Sequence, residues 1–274
     1  MHGRRSSTFL SILRARILSA WLPAAVFVLL IALWESVARL ALVDPMVLPA
    51  PSDIAANFVD GFRSGIYTKN LQITLVQAFS GFALACVLGI GIGSIASFSE
   101  RFSRALQPIL IAVEATPKIA LAPLIIVWFG YGIGSKIVLA GAIAFFPVFI
   151  STAAGLRAAE PGRLDVLRAL GASRFQLFRM VALPSAVPHI FAGINVAVVL
   201  ALLGTIVGEF MGAKEGLGTL ILYANGNLDT ARVFSILLVL AATGLVLHWI
   251  IGAIRRRLLF WDAPRAEAYT GAGA

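Results

Sequence analysis

Five stretches of the 274-residue sequence, 17–34, 70–99, 137–156, 180–208 and 233–254, run for 18 residues or more without a charged side chain. A helix rising about 1.5 Å per residue needs about 20 residues to cross the roughly 30 Å hydrocarbon core, so each run is long enough to span a bilayer. A sixth run, 105–130, is equally apolar but carries Glu114 and Lys118 near its middle and prolines at 108, 117 and 123. It is expected to be the irregular span. Outer-membrane barrels alternate apolar and polar residues in segments of about ten, which continuous runs of this length exclude. Charged residues are 13% of the chain, about half the roughly 25% of soluble domains. The sequence therefore predicts an all-α integral membrane protein with six transmembrane helices.

Lysine and arginine set the orientation. With six spans both termini share one side, and that side holds Arg4, Arg5, Arg14, Arg16, Arg101, Arg104, the five arginines from Arg157 to Arg179, Arg255 to Arg257 and Arg265. The opposite side holds Arg63, Lys69, Lys136, Lys214 and Arg232, so fifteen basic residues stand against five. The positive-inside bias places both termini in the cytoplasm. The net charge of +9 is thus accounted for by sidedness, and no nucleic-acid partner is expected. We divide the chain into a cytoplasmic segment 1–20, a transmembrane domain 21–256 and a cytoplasmic tail 257–274.

The basic start resembles a signal peptide, but its apolar part is too long and lacks a small-residue cleavage site, so it is read as a retained first span. Phe9, Ile12, Leu13 and Ile17 share one helical face ahead of it, which suits either an interfacial helix or a plain basic tail. Gly81, Ala85, Gly89 and Gly93 recur every four residues, a stripe that permits close helix approach. Cys86, the single cysteine, lies inside a span and is read as a packed thiol. His2, His189 and His248 have no ligand-like spacing, so neither metal nor cofactor is expected. Glu35 and Arg39, four apart near the outer end of the first span, are read as a structural pair.

The connection between the fourth and fifth spans, 158–183, is basic and capped. Pro161 suits a first helical turn, Asp165 lies early in that helix, Arg168 lies in its last turn and Gly171 fits a left-handed C′ position. Ser173 and Gln176 have capping-box spacing, so a second helix begins there and runs into Leu183-Pro184. Leu164, Leu167 and Leu170 form an apolar ridge flanked by Arg163, Arg168 and Arg174. Such a helix can lie on lipid head groups or enter a groove of a soluble partner, and geometry alone leaves both open.

This segment resembles the EAA loop of ABC-transporter inner-membrane permeases: Asp165, Val166 and Leu167 stand at the EAA positions, Gly171 at the glycine, Val181 at the isoleucine and Leu183-Pro184 at the end. The departure is DVL for EAA. "VLPAPSDI" (47–54), "TPKIALAPLIIVWFGYGIGSK" (116–136), "FFPVFISTAAGLR" (145–157) and "GEFMGAKEGLGTLI" (208–221) resemble, in content and order, the branch serving nitrate, sulfonate, taurine and pyrimidine-precursor uptake.

The resemblance implies the fold of an ABC importer permease, a second permease copy (a homodimer), a separate ATP-binding subunit and an external solute-binding protein, all in or at the lipid bilayer. The chain has no G-x-x-x-x-G-K-[ST] phosphate loop, so it is expected to be a non-catalytic transport subunit. Contacts to the ATPase are expected from Arg163, Leu164, Asp165, Leu167, Arg168, Leu170, Gly171, Ala172 and Ser173. Pathway candidates are Glu114, Thr116, Pro117, Lys118 and Glu209; Glu114 and Lys118 either line the pathway or neutralise each other. The apolar run Leu217 to Tyr223 is too short to span and is read as a partly re-entrant outer segment near the docking face of the binding protein. The substrate expected is a small anion such as a sulfonate, taurine or nitrate, or a pyrimidine- or thiamine-precursor-like compound. The competing function is a self-sufficient secondary transporter or channel, which would call for intramembrane acidic or histidine relays and inverted repeats. A membrane enzyme lacks its residues.

Overall fold

The computed structural model describes residues 21, 23, 25–98, 105, 108, 112 and 115–259. The expectations for Phe9, Ile12, Leu13 and Ile17, for Glu114, and for the terminal segments 1–20 and 260–274 lie outside them. Among the described residues the regular structure is helical, with no strand. Helix α1 covers 25–39. It is followed by α2 (Pro51–Arg63), α3 (Ile66–Phe98), a 3-10 turn (Lys118–Leu121), α4 (Ala122–Phe129) and α5 (Ile133–Arg157). Then come α6 (Pro161–Ala169), α7 (Arg174–Leu177), a π turn (Phe178–Ala182), α8 (Leu183–Phe210), α9 (Leu217–Gly226) and α10 (Thr230–Leu258).

Among the described residues four stretches, Ile66–Ser97, Ile133–Arg157, Arg174–Phe210 and Thr230–Leu258, are long and apolar enough to cross a membrane. The other two expected spans correspond to α1 and to the broken run ending in α4. The break lies where proline demands it: Pro117 has no N–H to donate and its ring disfavours helical backbone at Thr116. Pro117 is extended at φ −66°, ψ 95°, and the chain resumes as the 3-10 turn before α4.

Helix α5 is the central element, gripped on two sides by seams of small residues. On one side the α3 stripe does what its spacing predicts. A Cβ on Gly81 would lie 2.5 Å from Ala140 Cβ, one on Gly89 would lie 2.9 Å from Val148 Cβ and one on Gly93 would lie 2.9 Å from Thr152 Cβ, while Ala85 is buried with Ala144. Numbers rise together along both helices, so α3 and α5 run parallel. On the other side Gly193 meets Pro147 and Ser151, Gly204 meets Ala140 and Gly208 meets Lys136. Here numbers rise against each other, so α8 runs antiparallel to α5. Close backbone approach replaces the hydrophobic drive that lipid cannot supply between helices.

These directions divide the loops into two groups. The ends of α3, α5 and α10 and the segment 158–182 lie on one side, with Arg157, Arg163, Arg168, Arg174, Arg179 and Arg255 to Arg257. The connections around 40–65, 130–132 and 211–229 lie on the other. There Thr230 Oγ1 donates to Met46 O at 2.5 Å, and the Tyr67 and Ser235 hydroxyls are hydrogen-bonded. A core of Tyr67, Leu217, Ile221, Ile236 and Val239 closes this end.

Glu35 and Arg39 have the structural role their spacing suggests, with more partners. Ala50, the residue before α2, has no side chain to cap it. Glu35 serves instead, accepting from Ser52 N at 3.0 Å and Ser52 Oγ at 2.6 Å, while Arg39 reaches Glu35 at 3.0 Å and Asp53 at 2.8 Å. Trp34 Nε1 donates to Pro49 O at 3.1 Å. The "VLPAPSDI" stretch is thereby stitched to the end of α1.

Candidate functional site

The connection 158–182 folds as two short helices with a left-handed break. Pro161 occupies the first turn of α6, and the helix ends at Ala169 with Leu170 as its C-cap. Gly171 has φ +79°. Its N–H donates to Arg168 O at 3.0 Å and the Ala172 N–H to Leu167 O at 3.0 Å, which satisfies carbonyls the helix end would orphan. Ser173 then caps α7 with both halves of a capping box: Gln176 N donates to Ser173 Oγ at 3.3 Å and Ser173 N to Gln176 Oε1 at 2.7 Å. Three local rules, the proline start, the glycine exit and the capping box, place this break without tertiary help.

One detail differs from the sequence reading. Asp165 is past the first turn, too far from the N-terminus to act on the dipole, and instead pairs with Arg168 at 2.9 Å. Glu160, the N-cap, pairs with Arg163 at 2.8 Å. The second helix runs into Leu183-Pro184 and continues past it. Leu183 N–H bonds to Phe178 O, five residues back, so a π turn carries the chain into α8 without a break. Pro184 has no N–H, so it suits the start of α8 rather than a helix interior.

The apolar ridge is graded. Leu164 and Leu167 are half-buried, whereas Leu170 is 77% exposed. An open cleft beside α6 is lined by Glu160, Gly162, Arg163, Val166, Leu167 and Val181. Val166 and Phe175, which sequence reasoning did not single out as contacts, are 61% and 67% exposed. Counting exposed large apolar residues at a basic, soluble-looking loop would have found them.

In the irregular span Thr116 and Pro117 are exposed and Lys118 is half-buried, its Nζ 4.4 Å from the centroid of the Phe146 ring on α5. Phe146 itself is buried. The structure thus brings Thr116, Pro117 and Lys118 together at the break, while Glu209 stands elsewhere, at the far end of α8.

Glu209 is wholly buried in a polar knot. Its Oε1 accepts from Thr74 Oγ1 at 2.8 Å and its Oε2 from Gly218 N at 2.7 Å. Thr74 Oγ1 in turn accepts from Leu217 N at 2.9 Å, and Asn70 Oδ1 from Gly216 N at 2.7 Å. Lys136, 1% exposed, donates to Tyr131 O at 2.6 Å. At the rim Lys69 pairs with Glu215 at 2.6 Å. Asn70, Thr74, Lys136 and Tyr131 escaped the sequence reading. The signal available was Asn70 and Thr74, polar and four apart at the head of a span.

Residues 85–260 match the family described as "Binding-protein-dependent transport system inner membrane component". The chain belongs to this family. It is 36% identical to the riboflavin transport system permease protein RibX of Chloroflexus aurantiacus over 88% of this chain and 90% of that protein. It is also 36% identical to the putative aliphatic sulfonates transport permease protein SsuC of Bacillus subtilis, over 88% and 86%. The fold matches the inward-facing MetNI methionine ABC transporter with a TM-score of 0.62 at 21% identity, covering 70% of this chain and 95% of that one. The protein is an ABC importer permease subunit, and membership in the family implies ATPase and binding-protein partners. This decides against a self-sufficient secondary transporter or channel.

Proposed function

We propose that this permease forms half of a homodimeric substrate pathway and passes ATP-driven motion from its partner ATPase through α6, without catalysis of its own. The observation that carries the reading is the Gly171 break: a left-handed exit and a capping box orient an exposed, half-apolar helix on the basic side of the membrane. Leu164, Leu167 and Leu170 supply its apolar face, with Val166 of α6 and Phe175 of the neighbouring α7 added from their exposure. Arg163, Asp165 and Arg168 form its charged flank, and Gly171, Ala172 and Ser173 form its exit. The decisive experiment is co-purification with the ATPase subunit: loss on changing Leu167 and Leu170 to aspartate, with the permease still in the membrane, is expected.

The basic side is the cytoplasm of a bacterial inner membrane, with both chain termini on it. A reporter fused at Arg174 or at the C-terminus should read as cytoplasmic and one at Asp60 as external. An external Arg174 would overturn both the topology and the coupling role of α6. The opposite side, carrying α2 and α9, then receives the binding protein.

The substrate inferred is a small organic anion. Lys118 supports this, since it places positive charge at the helix break after Pro117, beside an aromatic ring that partners a cation by about 0.5 to 2 kcal/mol. A heterocyclic cargo is the second reading, favoured by equal identity to the riboflavin and sulfonate permeases. With the partner proteins present, Lys118→Met should lower anion uptake by about tenfold or more whether or not Glu114→Gln accompanies it. Rescue in the double mutant would instead establish a structural Glu114 and Lys118 pair.

A further inference from the structure

The structure assigns Glu209 a task outside the pathway: it is the positioning residue of the outer mouth, fixing the start of α9 against α3. Helix α9 cannot make its own start. Its N-cap is Gly216, which has no side chain to accept from the first N–H groups. Those groups are satisfied from other helices: Gly216 N by Asn70, Leu217 N by Thr74 and Gly218 N by Glu209. A carboxylate is suited to the post because it only accepts, and it meets two donors here, one per oxygen. It also lies at the positive end of α9.

The glycines on either side follow from the same geometry. A Cβ on Gly218 would lie 2.9 Å from Glu209 Oε2, and one on Gly216 would collide with the same carboxylate. Gly208, the residue before Glu209, packs against Lys136, with a Cβ there 3.1 Å from Lys136 Cγ. Lys136 Nζ donates to the Tyr131 carbonyl, and the Tyr131 ring lies against Gly212, 2.9 Å from a Cβ built there. Lys136, packed against Gly208, thus joins the 130–132 turn to the end of α8 beside Glu209. The knot sits at the end of the molecule opposite α6, so disturbing it should alter what the outer face does and spare what the ATPase does unprompted.

The inference rests on the permease reading above, and the test separates the two. In nanodiscs holding the full transporter, Glu209→Leu removes both acceptor oxygens and leaves the Thr74 hydroxyl and the Gly218 N–H without the carboxylate that meets them. It should raise amide exchange at residues 216–218 by tenfold or more. It should also raise the concentration of purified binding protein needed for half-maximal ATP hydrolysis by about fivefold, with hydrolysis in the absence of binding protein unchanged. Thr74→Val should do the same without touching the charge, and Thr74→Ser should restore both values. Wild-type exchange and half-saturation in Glu209→Leu would overturn the inference. So would a parallel fall of basal and stimulated hydrolysis with half-saturation unmoved, which marks a general folding role. If the unaltered transporter showed no response to binding protein, the permease reading would fail, while exchange in the variants would still decide whether Glu209 places α9.

Discussion

Substituting valine for Gly171 should leave the protein in the membrane at normal levels while lowering uptake by about tenfold or more. The glycine has φ +79° and nothing within 4 Å of where a Cβ would stand, so the penalty is one of backbone conformation and not of space. A left-handed position costs an ordinary residue about 1 to 2 kcal/mol, and a β-branched one is the least tolerant. Around Gly171 there is little to resist that cost. Leu170 is 77% exposed, and the bonds from Gly171 N and Ala172 N to α6 carbonyls are what define the exit angle. About 1.4 kcal/mol is a tenfold shift in population, enough to swing α6 away from its working orientation. Asparagine, which accepts the left-handed region, should retain most uptake at the same position. Uptake, ATPase co-purification and membrane level measured together check this; a valine variant with full transport would remove Gly171 from the coupling mechanism.

That prediction was open to a reader of the sequence alone, because the break at Gly171 is built from local rules. Pro161, Gly171, Ser173 and Gln176 each act on backbone groups within a few residues, so spacing suffices to place them. The α3 stripe was legible for a similar reason: a four-residue period survives without knowledge of the partner. What faced it was not legible. Ala140, Val148 and Thr152 on α5 carry no mark of their own, and Pro147 reads as a helix breaker until α8 is seen pressed against it. The π turn at Phe178–Ala182 has no signal beyond the proline that follows. Lys136 and Glu209 show the limit most clearly. As sequence, one counts as an outer-side charge and the other as a pathway candidate; only the tertiary fold shows both buried, each bonded to the backbone of a turn that precedes or follows its helix. Asp165 misleads for a smaller reason, the four-residue distance from Pro161 that carries it beyond reach of the helix dipole.

Changing Gly193 to leucine should be the most destructive single substitution in the membrane-embedded frame, lowering the folded fraction severely. A Cβ at Gly193 would stand 2.5 Å from the Pro147 carbonyl oxygen and 2.6 Å from Ser151 Cβ. A flexible side chain can swing away from such a contact, but a carbonyl inside α5 cannot move without the helix. Nor can α8 tilt to make room, because Gly155 is pressed against Ala186 and Gly204 against Ala140 on either side of the same seam. Opening the seam at Gly193 therefore opens it along much of its length, and overpacking of this kind costs about 3 kcal/mol. A leucine at Gly91 supplies the control, since it adds the same volume to a membrane helix at a position with nothing within 4 Å. The measurement is thermal unfolding of the purified full-length proteins in one detergent. Gly91→Leu should melt with the unaltered protein, whereas Gly193→Leu should be poorly recovered and melt many degrees lower. If Gly193→Leu melted alongside Gly91→Leu, the α5 and α8 backbones would be free to separate, and α5 would lose its place as the fixed member on which the coupling end and the outer end both depend.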